Sequence, residues 1–483
     1  MRLSPPDIKP RSRRGEQFVF SLLFVCFGVK TTWLAVNIGR GVFPDESTWF
    51  GISRLFSADI LPPSDSPASY HLGLITHIPD LYFWLMGRLL NLNVFPLSDL
   101  IFLRLFNVVL GLLAMFFAWR LITLLMDSSA VRLFFMAMMT STMMLTFVYG
   151  AVNYDNLSTL LAVSSLYYLS RFFREHGYND LIAWAILTMA GTMTKNVFLP
   201  YAAAMVIVLM VREWKTLLAV IVGGLRSRPW LNWFKLLLFL TLLALNLNLY
   251  LGNLLRFGQL LPSMNMVLPL DACLQNRLFT RGYVGREFKN GRLDWLAAQR
   301  LALRIRNPND RADALNILLE ARRARHDHSA VHLGRLTYSR SWLRYMFART
   351  YGIAAQLSMY KKTGFIRLYY IFFILAAALF CLRWRPGIPP GLGAPLFITL
   401  FYVTVLMQMV NYGIYSQTGM MGLAVTGRYI FPVLAPLYII IAHGLLYRMP
   451  RWWQWTAGGA VALLFIYGDF PWFLQHLTPA WLG

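Results

Sequence analysis

The chain has 483 residues, of which 57% are hydrophobic and 14% are charged, and its formal net charge is +24. This composition excludes a disordered chain, which would need low hydrophobicity, and the mean hydropathy of +0.51 is typical of a protein embedded in lipid. The cysteines Cys26, Cys273 and Cys381 are far apart, which argues against a disulfide framework or a cysteine metal site.

Long apolar stretches recur along the chain, and a helix needs roughly 20 mostly apolar residues to cross a bilayer. In lipid every backbone amide has to be paired within its own segment, which favours helices. We therefore predict an all-α polytopic membrane protein with about eleven transmembrane helices and loops on the outer face. The expected spans lie near residues 18–36, 101–125, 133–150, 157–170, 181–194, 197–211, 234–251, 366–382, 395–410, 429–447 and 456–469.

The chain divides into two apolar modules and one basic segment between them. Residues 1–251 hold about seven spans with an outer loop at 37–78, and residues 363–483 hold about four. Residues 252–362 contain 19 Lys and Arg but only 7 Asp and Glu. The stretches "LDWLAAQRLALRIRNP" and "ADALNILLEARRARHD" have the period of amphipathic helices. The segment is interpreted either as a solvated basic surface or as a platform for an anionic partner.

Lys and Arg alternate between rich and poor short loops, which is the pattern of membrane orientation rather than of nucleic-acid binding. We expect a cytoplasmic N-terminus, an uncleaved first anchor, and residues 37–78 and 252–362 on the outer side. The other short loops hold only Arg40, Arg54 and Lys195. The basic positions are Arg11, Arg13, Arg14, Arg120, Arg132, Arg171, Arg174, Arg212, Lys215, Arg226, Arg228, Arg383, Arg385, Arg448 and Arg451.

Three acidic residues lie at the expected outer ends of apolar stretches. In "GRGVFPDESTWF", Asp45 and Glu46 follow a proline that discourages a helix through Phe43. A carboxylate there can act as a general base on a hydroxyl, or it can be a solvated turn or helix N-terminus. In "VYGAVNYDNLSTLLAV", Asp155 follows Asn153, and the pair is interpreted either as functional or as a helix cap.

Basic and aromatic candidates fall on the same expected side. Lys195 in "MTKNVFLP" either contacts a phosphate or snorkels to the interface. Arg428 and Tyr429 in "TGRYIFPVLAP" either bind a phosphate or anchor the helix at the interface. The stretch "YHLGLITHIPDLYFWLM" begins at Tyr70 and contains His77, six residues after the other histidine, a spacing that does not predict a metal site.

The order of these motifs resembles that of the GT-C superfamily of membrane glycosyltransferases, which includes protein O-mannosyltransferases and lipid A aminoarabinose transferases. The matching pieces are "FPDESTWF", "HIPDLYFWL", "FLRLFNVVLGLLA", "NYDNLS" and "GRYIFPVLAP". They cover most of residues 15–212 and 340–445, whereas 256–335 has no counterpart. The chain departs from the family pattern at Asp80, where the family has a second proline.

The resemblance implies a polyprenyl-phosphate sugar donor, inverting transfer to a hydroxyl of a glycan, lipid or protein, and a periplasmic site in a bacterial inner membrane. Asp45 would take the proton from the acceptor hydroxyl, with Glu46 as second candidate or orienting partner. The other residues would bind the donor. They are Asp155, Lys195, Arg428, Tyr429, His77, Tyr70 and Asn153. The partners are then the lipid-linked sugar, its acceptor and the bilayer, with no nucleic acid, no cofactor and no support for a divalent metal.

Two other functions stay open. A transporter of a lipid-linked or anionic solute would bury charges inside its spans and often shows repeat symmetry, and we expect neither here. A polysaccharide polymerase or ligase would use an arginine-led site in a large outer loop, which the arginine-rich stretch 277–349 allows. Transfer from a single-sugar lipid donor separates the last two enzymes, and solute flux without a covalent product would indicate the transporter.

The expected orientation is tested by cysteine labelling in intact cells, in a background that lacks the three native cysteines. We expect an impermeant maleimide to label both Ser47→Cys and Ser329→Cys, because both positions belong to segments predicted to lie outside. Protection of both positions until the membrane is permeabilised would reverse the orientation.

Overall fold

The computed structural model describes residues 13–227, 229–326, 333–354, 359–361, 363–382, 391–423, 425–447 and 449–483. Several residues named above lie outside these ranges, namely Arg11, Arg228, Ser329, Arg383, Arg385 and Arg448. The described chain is almost entirely helical, so the predicted all-α class is confirmed. One short antiparallel hairpin, β1 (Ile353–Ala354) with β2 (Met359–Tyr360), interrupts it.

The helices fall into the three predicted parts of the chain. The first part holds α1 (Arg13–Asn37), α2 (Glu46–Ala58), α3 (Leu81–Leu90), α4 (Asp99–Leu125), α5 (Ser129–Thr140), α6 (Met143–Tyr149), α7 (Tyr154–Glu175), α8 (Tyr178–Thr194), α9 (Phe198–Ser227) and α10 (Pro229–Asn246). The basic part holds α11 (Gly252–Phe257), α12 (Met264–Val267), α13 (Leu270–Cys273), α14 (Arg277–Lys289), α15 (Trp295–Leu303), α16 (Pro308–His326) and α17 (Arg335–Tyr351). The last part holds α18 (Thr363–Leu382), α19 (Gly393–Val405), α20 (Tyr412–Thr418), α21 (Phe431–Leu446), α22 (Arg451–Tyr467) and α23 (Phe470–Gln475).

Short helical pieces of other types complete the chain. The 3-10 segments are Tyr70–Leu72, Gly427–Ile430 and Pro479–Trp481, and the π segments are Leu247–Leu251 and Leu406–Asn411. The two π segments continue α10 into α11 and α19 into α20, so each of these pairs forms one longer helical rod.

The chain is a multi-pass membrane protein, but the expected count of eleven spans is not confirmed. Seven helical segments of the described residues are long and apolar enough to cross a membrane, or eight if the bent pair α5 and α6 counts as one span. The seven segments are Arg14–Asn37, Asp99–Leu125, Trp230–Phe257, Gly364–Leu382, Gly393–Thr418, Gly427–Leu446 and Arg451–Gln475.

Helix α7 shows why three of the expected spans, which correspond to α7, α8 and α9, are missing from this count. It packs between α4, α8 and α21, and nearly all of its side chains are buried. Because its polar side chains face protein rather than lipid, α7 does not need the hydropathy of a lipid-facing span. The buried polar set includes Asp155, Asn156, Ser158, Thr159, Ser164 and Ser165.

The expectation that the spans bury no charge is wrong. Lys30 in α1 and Asp469 in the last span form a buried ion pair. Lys30 also donates to the carbonyl oxygen of Thr140, at the point where α5 ends and the axis turns by 59° into α6. Thr146 donates to the same carboxylate at 3.2 Å. The pair thus satisfies a backbone group that the helix break leaves without an intrahelical partner, which lipid could not do.

The basic segment forms a small helical unit, and its two predicted amphipathic helices are confirmed as α15 and α16. Val284, Ala302, Ile305 and Ala314 make one of its two small cores. The unit is joined to the rest of the molecule by polar contacts, including a hydrogen bond of 3.2 Å from the Asn276 side chain to the carbonyl oxygen of His71.

Candidate active site

Asp45 stands at a sharp turn between α1 and α2. Its backbone is left-handed, with φ 56°, and its carbonyl oxygen accepts hydrogen bonds from the amides of Thr48 and Trp49 at 3.0 and 3.1 Å. Aspartate tolerates this conformation better than most residues. The turn leaves the Asp45 carboxylate partly exposed, at 25% of its side-chain surface.

Glu46, the next residue, is 1% exposed and points into the protein. Its oxygens accept from Arg104 Nε at 2.8 Å and from Arg104 Nη2 at 2.6 Å, and Oε1 also accepts from the amide of Val152 at 3.1 Å. Arg104 donates further to the carbonyl oxygens of Ala35, Ile38 and Gly39 at the end of α1. Glu46 is therefore occupied as a positioning residue, and Asp45 is the carboxylate of the pair that faces outward.

A second ion pair lies beside the turn. Asp155, in the first turn of α7, is 1% exposed and accepts from Lys195, which ends α8 and is 2% exposed. The Lys195 ammonium also lies over two aromatic rings, 4.6 Å from the centroid of Tyr154 and 4.9 Å from that of Tyr429. Asn153 caps α7 by accepting from the amide of Asp155 at 2.9 Å. Asn153 also donates to the carbonyl oxygen of Pro44 at 3.3 Å, which ties α7 to the Asp45 turn.

Arg428 joins the two acidic positions. Its Nη2 donates to Asp45, and its Nε is 3.8 Å from Asp155 Oδ2. Arg428 Nε, Arg428 Nη1 and Asp155 Oδ2 are buried and find no hydrogen-bond partner in the described part of the chain. These two donors and one acceptor would suit a ligand that offers both a hydroxyl and anionic oxygens.

Arg428 is positioned by the last helix of the basic segment. Arg349 in α17 donates to the carbonyl oxygens of Gly422 and Val425, on the loop that leads to Arg428. At Gly427 a Cβ atom would meet the carbonyl oxygen of Arg349 at 2.4 Å. Only glycine permits this approach of the two backbones, so the glycine of the "GRY" motif is required by packing.

A cavity of about 810 Å³ opens next to the Asp45 turn. It is within the size range of small-molecule sites. Arg40, Asp45, Glu46 and His71 line it from the first module, and the basic segment contributes further arginines, which are Arg277, Arg304 and Arg306. Arg277 Nη2 lies 3.9 Å from Asp45 Oδ1. No group of three or more His, Cys, Asp or Glu within the described ranges is arranged to hold a metal ion.

The charges around Asp45 keep it ionised. Burial alone would raise the pKa of Asp45, but the nearby charges of Arg428, Arg277 and Lys195 and the bond from Arg428 bring it below its usual value. Burial and the charge of Arg428 lower the pKa of Lys195, while Asp155 and Asp45 oppose that change. The Asp45 carboxylate is thus unprotonated over the physiological range and is held by a cation.

The structure brings together Asp45, Asp155, Lys195, Arg428, Tyr429 and Asn153, with Glu46 directly behind them. It does not bring in His77, whose Nδ1 lies 2.9 Å from Asn253 Oδ1 and whose ring packs against Phe257. Tyr70 starts the 3-10 segment that carries His71 and Leu72, two residues of the cavity wall. Its own side chain is not part of that wall.

Sequence reasoning missed the arginines that complete this site. Arg104 was quoted only within a matching motif, although a lone arginine in an apolar span is itself a signal of a buried partner. Arg277, Arg304 and Arg306 belong to a segment with many arginines. No local pattern in that segment distinguishes the three that line the cavity from the others.

No family model and no curated protein matches the chain. Among solved structures it is similar to the oligosaccharyltransferase AglB from Archaeoglobus fulgidus in complex with an inhibitory peptide and a dolichol-phosphate, at 12% identity and a TM-score of 0.43 over 94% of this chain. It is also similar to ArnT from Cupriavidus metallidurans bound to undecaprenyl phosphate, at 15% identity and a TM-score of 0.35 over 97% of this chain.

The chain spans 55% of the AglB chain and 82% of the ArnT chain. Both neighbours are GT-C superfamily membrane glycosyltransferases, the superfamily that the sequence motifs resemble. TM-scores below 0.5 mean that the superpositions are coarse, so the chemistry of this chain has to be derived from its own side chains.

The buried pair of Glu46 and Arg104 predicts a large loss of stability when one partner is removed. Glu46→Gln leaves the Arg104 charge buried without compensation, which typically costs about 3–5 kcal/mol. The double variant Glu46→Gln with Arg104→Met should recover part of that loss. The matched control is Glu320→Gln, because the pair of Glu320 and Arg323 is exposed and such pairs contribute less than about 1 kcal/mol.

Unfolding of the purified variants in detergent, followed by heat or denaturant, gives the comparison. If Glu46→Gln unfolds under the same conditions as Glu320→Gln, the ion pair does not hold the turn in place.

Proposed function

We propose that this chain is an integral membrane glycosyltransferase that moves a sugar from a polyprenyl-phosphate donor to a hydroxyl of a glycan, lipid or protein acceptor on the outer face, with inversion. One observation carries the proposal. An ionised carboxylate, Asp45, faces an arginine-lined cavity while it is bonded to Arg428, whose remaining donors lie beside Asp155 and Lys195. A base for a hydroxyl and cations for a phosphate therefore meet at one point.

The reaction follows from these roles. The Asp45 carboxylate takes the proton of the acceptor hydroxyl, and the hydroxyl oxygen forms a bond to the anomeric carbon of the sugar. The bond from that carbon to the phosphate oxygen breaks, and its electron pair leaves with the lipid phosphate. Lys195 and Arg428 stabilise the negative charge that builds on the leaving phosphate, and Asp155 accepts a hydrogen bond from a sugar hydroxyl.

Arg428 gives the site a means of ordering these steps. In the protein alone its guanidinium is bonded to Asp45, which makes the carboxylate a weak base. A donor phosphate competes for the same guanidinium, and a phosphate that takes it would free Asp45. We infer that donor binding raises the basicity of Asp45 just when an acceptor can use it.

The main test is Asp45→Asn, which removes the basic oxygen without removing bulk. A general base contributes about 10²–10⁴-fold, so transfer should fall by that factor while donor binding stays. Arg428→Gln should instead raise KM as well as lower kcat, because the phosphate is charged in the ground state and in the transition state. The assay follows a labelled sugar from a polyprenyl-phosphate donor into lipid, glycan and protein fractions of a cell-envelope extract.

The matched control is Asp59→Asn, which changes an exposed carboxylate at the other end of α2 and should leave transfer unchanged. Transfer by Asp45→Asn at the rate of the control would remove Asp45 as the base and leave the turn structural.

The pH dependence of the wild-type enzyme tests the role of Arg428. The profile of kcat/KM reports the free enzyme, and that of kcat reports the bound complex. The Asp45 pKa lies below its usual value in the free protein and should rise once a phosphate engages Arg428. We therefore expect the acid limb of kcat to lie at higher pH than that of kcat/KM. Acid limbs at the same pH would contradict the exchange of partners.

A further inference from the structure

The cavity beside Asp45 has more positive charge than one carrier phosphate needs. Glu46 is neutralised by Arg104 and Asp45 is paired with Arg428. Arg277 is held by Asp310. The other three arginines of the wall, Arg40, Arg304 and Arg306, have exposed side chains. Within the described residues none of these three has a carboxylate oxygen within the 4.0 Å of an ion pair.

The local fold of the basic segment explains how two of them reach the cavity. Ile305, between α15 and α16, is 4% exposed and belongs to the small core with Val284 and Ala314. Its neighbours Arg304 and Arg306 are exposed on either side of it, and both line the cavity. The Asn307 side chain then caps α16 by accepting from the amides of Asn309 and Asp310. A buried anchor and a cap thus hold the two arginines on a defined turn.

The donor phosphate already has a separate set of partners. Lys195 and the two unpartnered N–H groups of Arg428 are buried beside Asp155, whereas neither Lys195 nor Arg428 lines the cavity. In an inverting transfer the acceptor approaches the anomeric carbon from the face opposite the phosphate. The acceptor therefore lies on the side of the base, and the base is the group that borders the cavity.

We propose that the arginines of the cavity wall bind an anionic group of the acceptor, so that the acceptor is a phosphate- or carboxylate-bearing molecule rather than a neutral glycan or an uncharged hydroxyl of a protein. This rests on the proposed function and narrows its substrate class. Arginine is suited to either anion, because its planar guanidinium pairs with carboxylate and phosphate through two parallel hydrogen bonds.

The proposal is tested by binding, so that it stands or falls separately from catalysis. The probes are inorganic pyrophosphate for the wall and a short-chain polyprenyl monophosphate for the donor site, each added to the full chain in detergent at constant ionic strength. The variant is Arg304→Gln with Arg306→Gln. The charge-matched control is Arg300→Gln with Arg340→Gln, two exposed arginines of the same segment that do not line the cavity.

We expect the wall variant to weaken pyrophosphate binding about tenfold or more, given the strength of charge-assisted hydrogen bonds, and to leave binding of the polyprenyl phosphate unchanged. The control should bind both probes like the wild type, and saturating polyprenyl phosphate should not displace pyrophosphate. Displacement, together with loss of both probes in the wall variant, would assign the wall to the donor phosphate and overturn the proposal. Equal pyrophosphate binding in all three proteins would overturn it as well.

Two competitors then distinguish the sources of the anion. Displacement of pyrophosphate by glucosamine 1-phosphate indicates a phosphorylated acceptor, and displacement by a uronic-acid disaccharide indicates an acidic glycan. If neither competes while pyrophosphate still binds at the wall, the site is a general anion site and the acceptor assignment is wrong. Asp45→Asn should retain pyrophosphate binding, so a failed transfer test of Asp45 leaves this outcome readable.

Discussion

The ion pair between Glu46 and Arg104 is the interaction on which the geometry of the site depends. Arginine has five N–H donors, and Arg104 uses them in five hydrogen bonds, two to Glu46 and three to carbonyl oxygens at the end of α1. The pair therefore completes the end of one helix and fixes the start of the next. Between these two points Asp45 has a left-handed backbone, which costs roughly 1–2 kcal/mol and persists because both flanks are held.

The same pair extends into a buried polar network that carries the second half of the site. Glu46 accepts from the amide of Val152, and Asn153 donates to Pro44 while it caps the helix of Asp155. Such networks are costly when they are partly satisfied and rigid when they are complete. The atoms that stay without a partner here are on Asp155 and Arg428, which are the groups that a substrate would touch. Rigidity at the base and unused hydrogen-bonding capacity at the rim are what a binding site requires.

The sequence predicts the class of the protein and most of the cluster, but not how its charges are divided. Apolar period and length identify helices because lipid leaves the backbone no alternative, and the motif order brings Asp45, Asp155, Lys195 and Arg428 to one side. Adjacent carboxylates at 45 and 46 cannot be told apart in this way, since only the partner Arg104, 58 positions away, shows which one is buried. The span count fails for a related reason, because α7 is polar and yet buried by protein, which hydropathy alone does not register.

The basic segment contributes to the site through contacts that its own small cores do not supply. It is attached by polar bonds to the loops of the site, from Asn276 to His71, from Arg277 towards Asp45, and from Arg349 to the loop before Arg428. These loops come from both membrane modules, so the segment fixes their spacing while it places arginines over the cavity. Low-dielectric walls strengthen the field of such charges. The strong positive charge of the chain is therefore not spread evenly in its effect, since part of it is concentrated where an anionic substrate would meet the base.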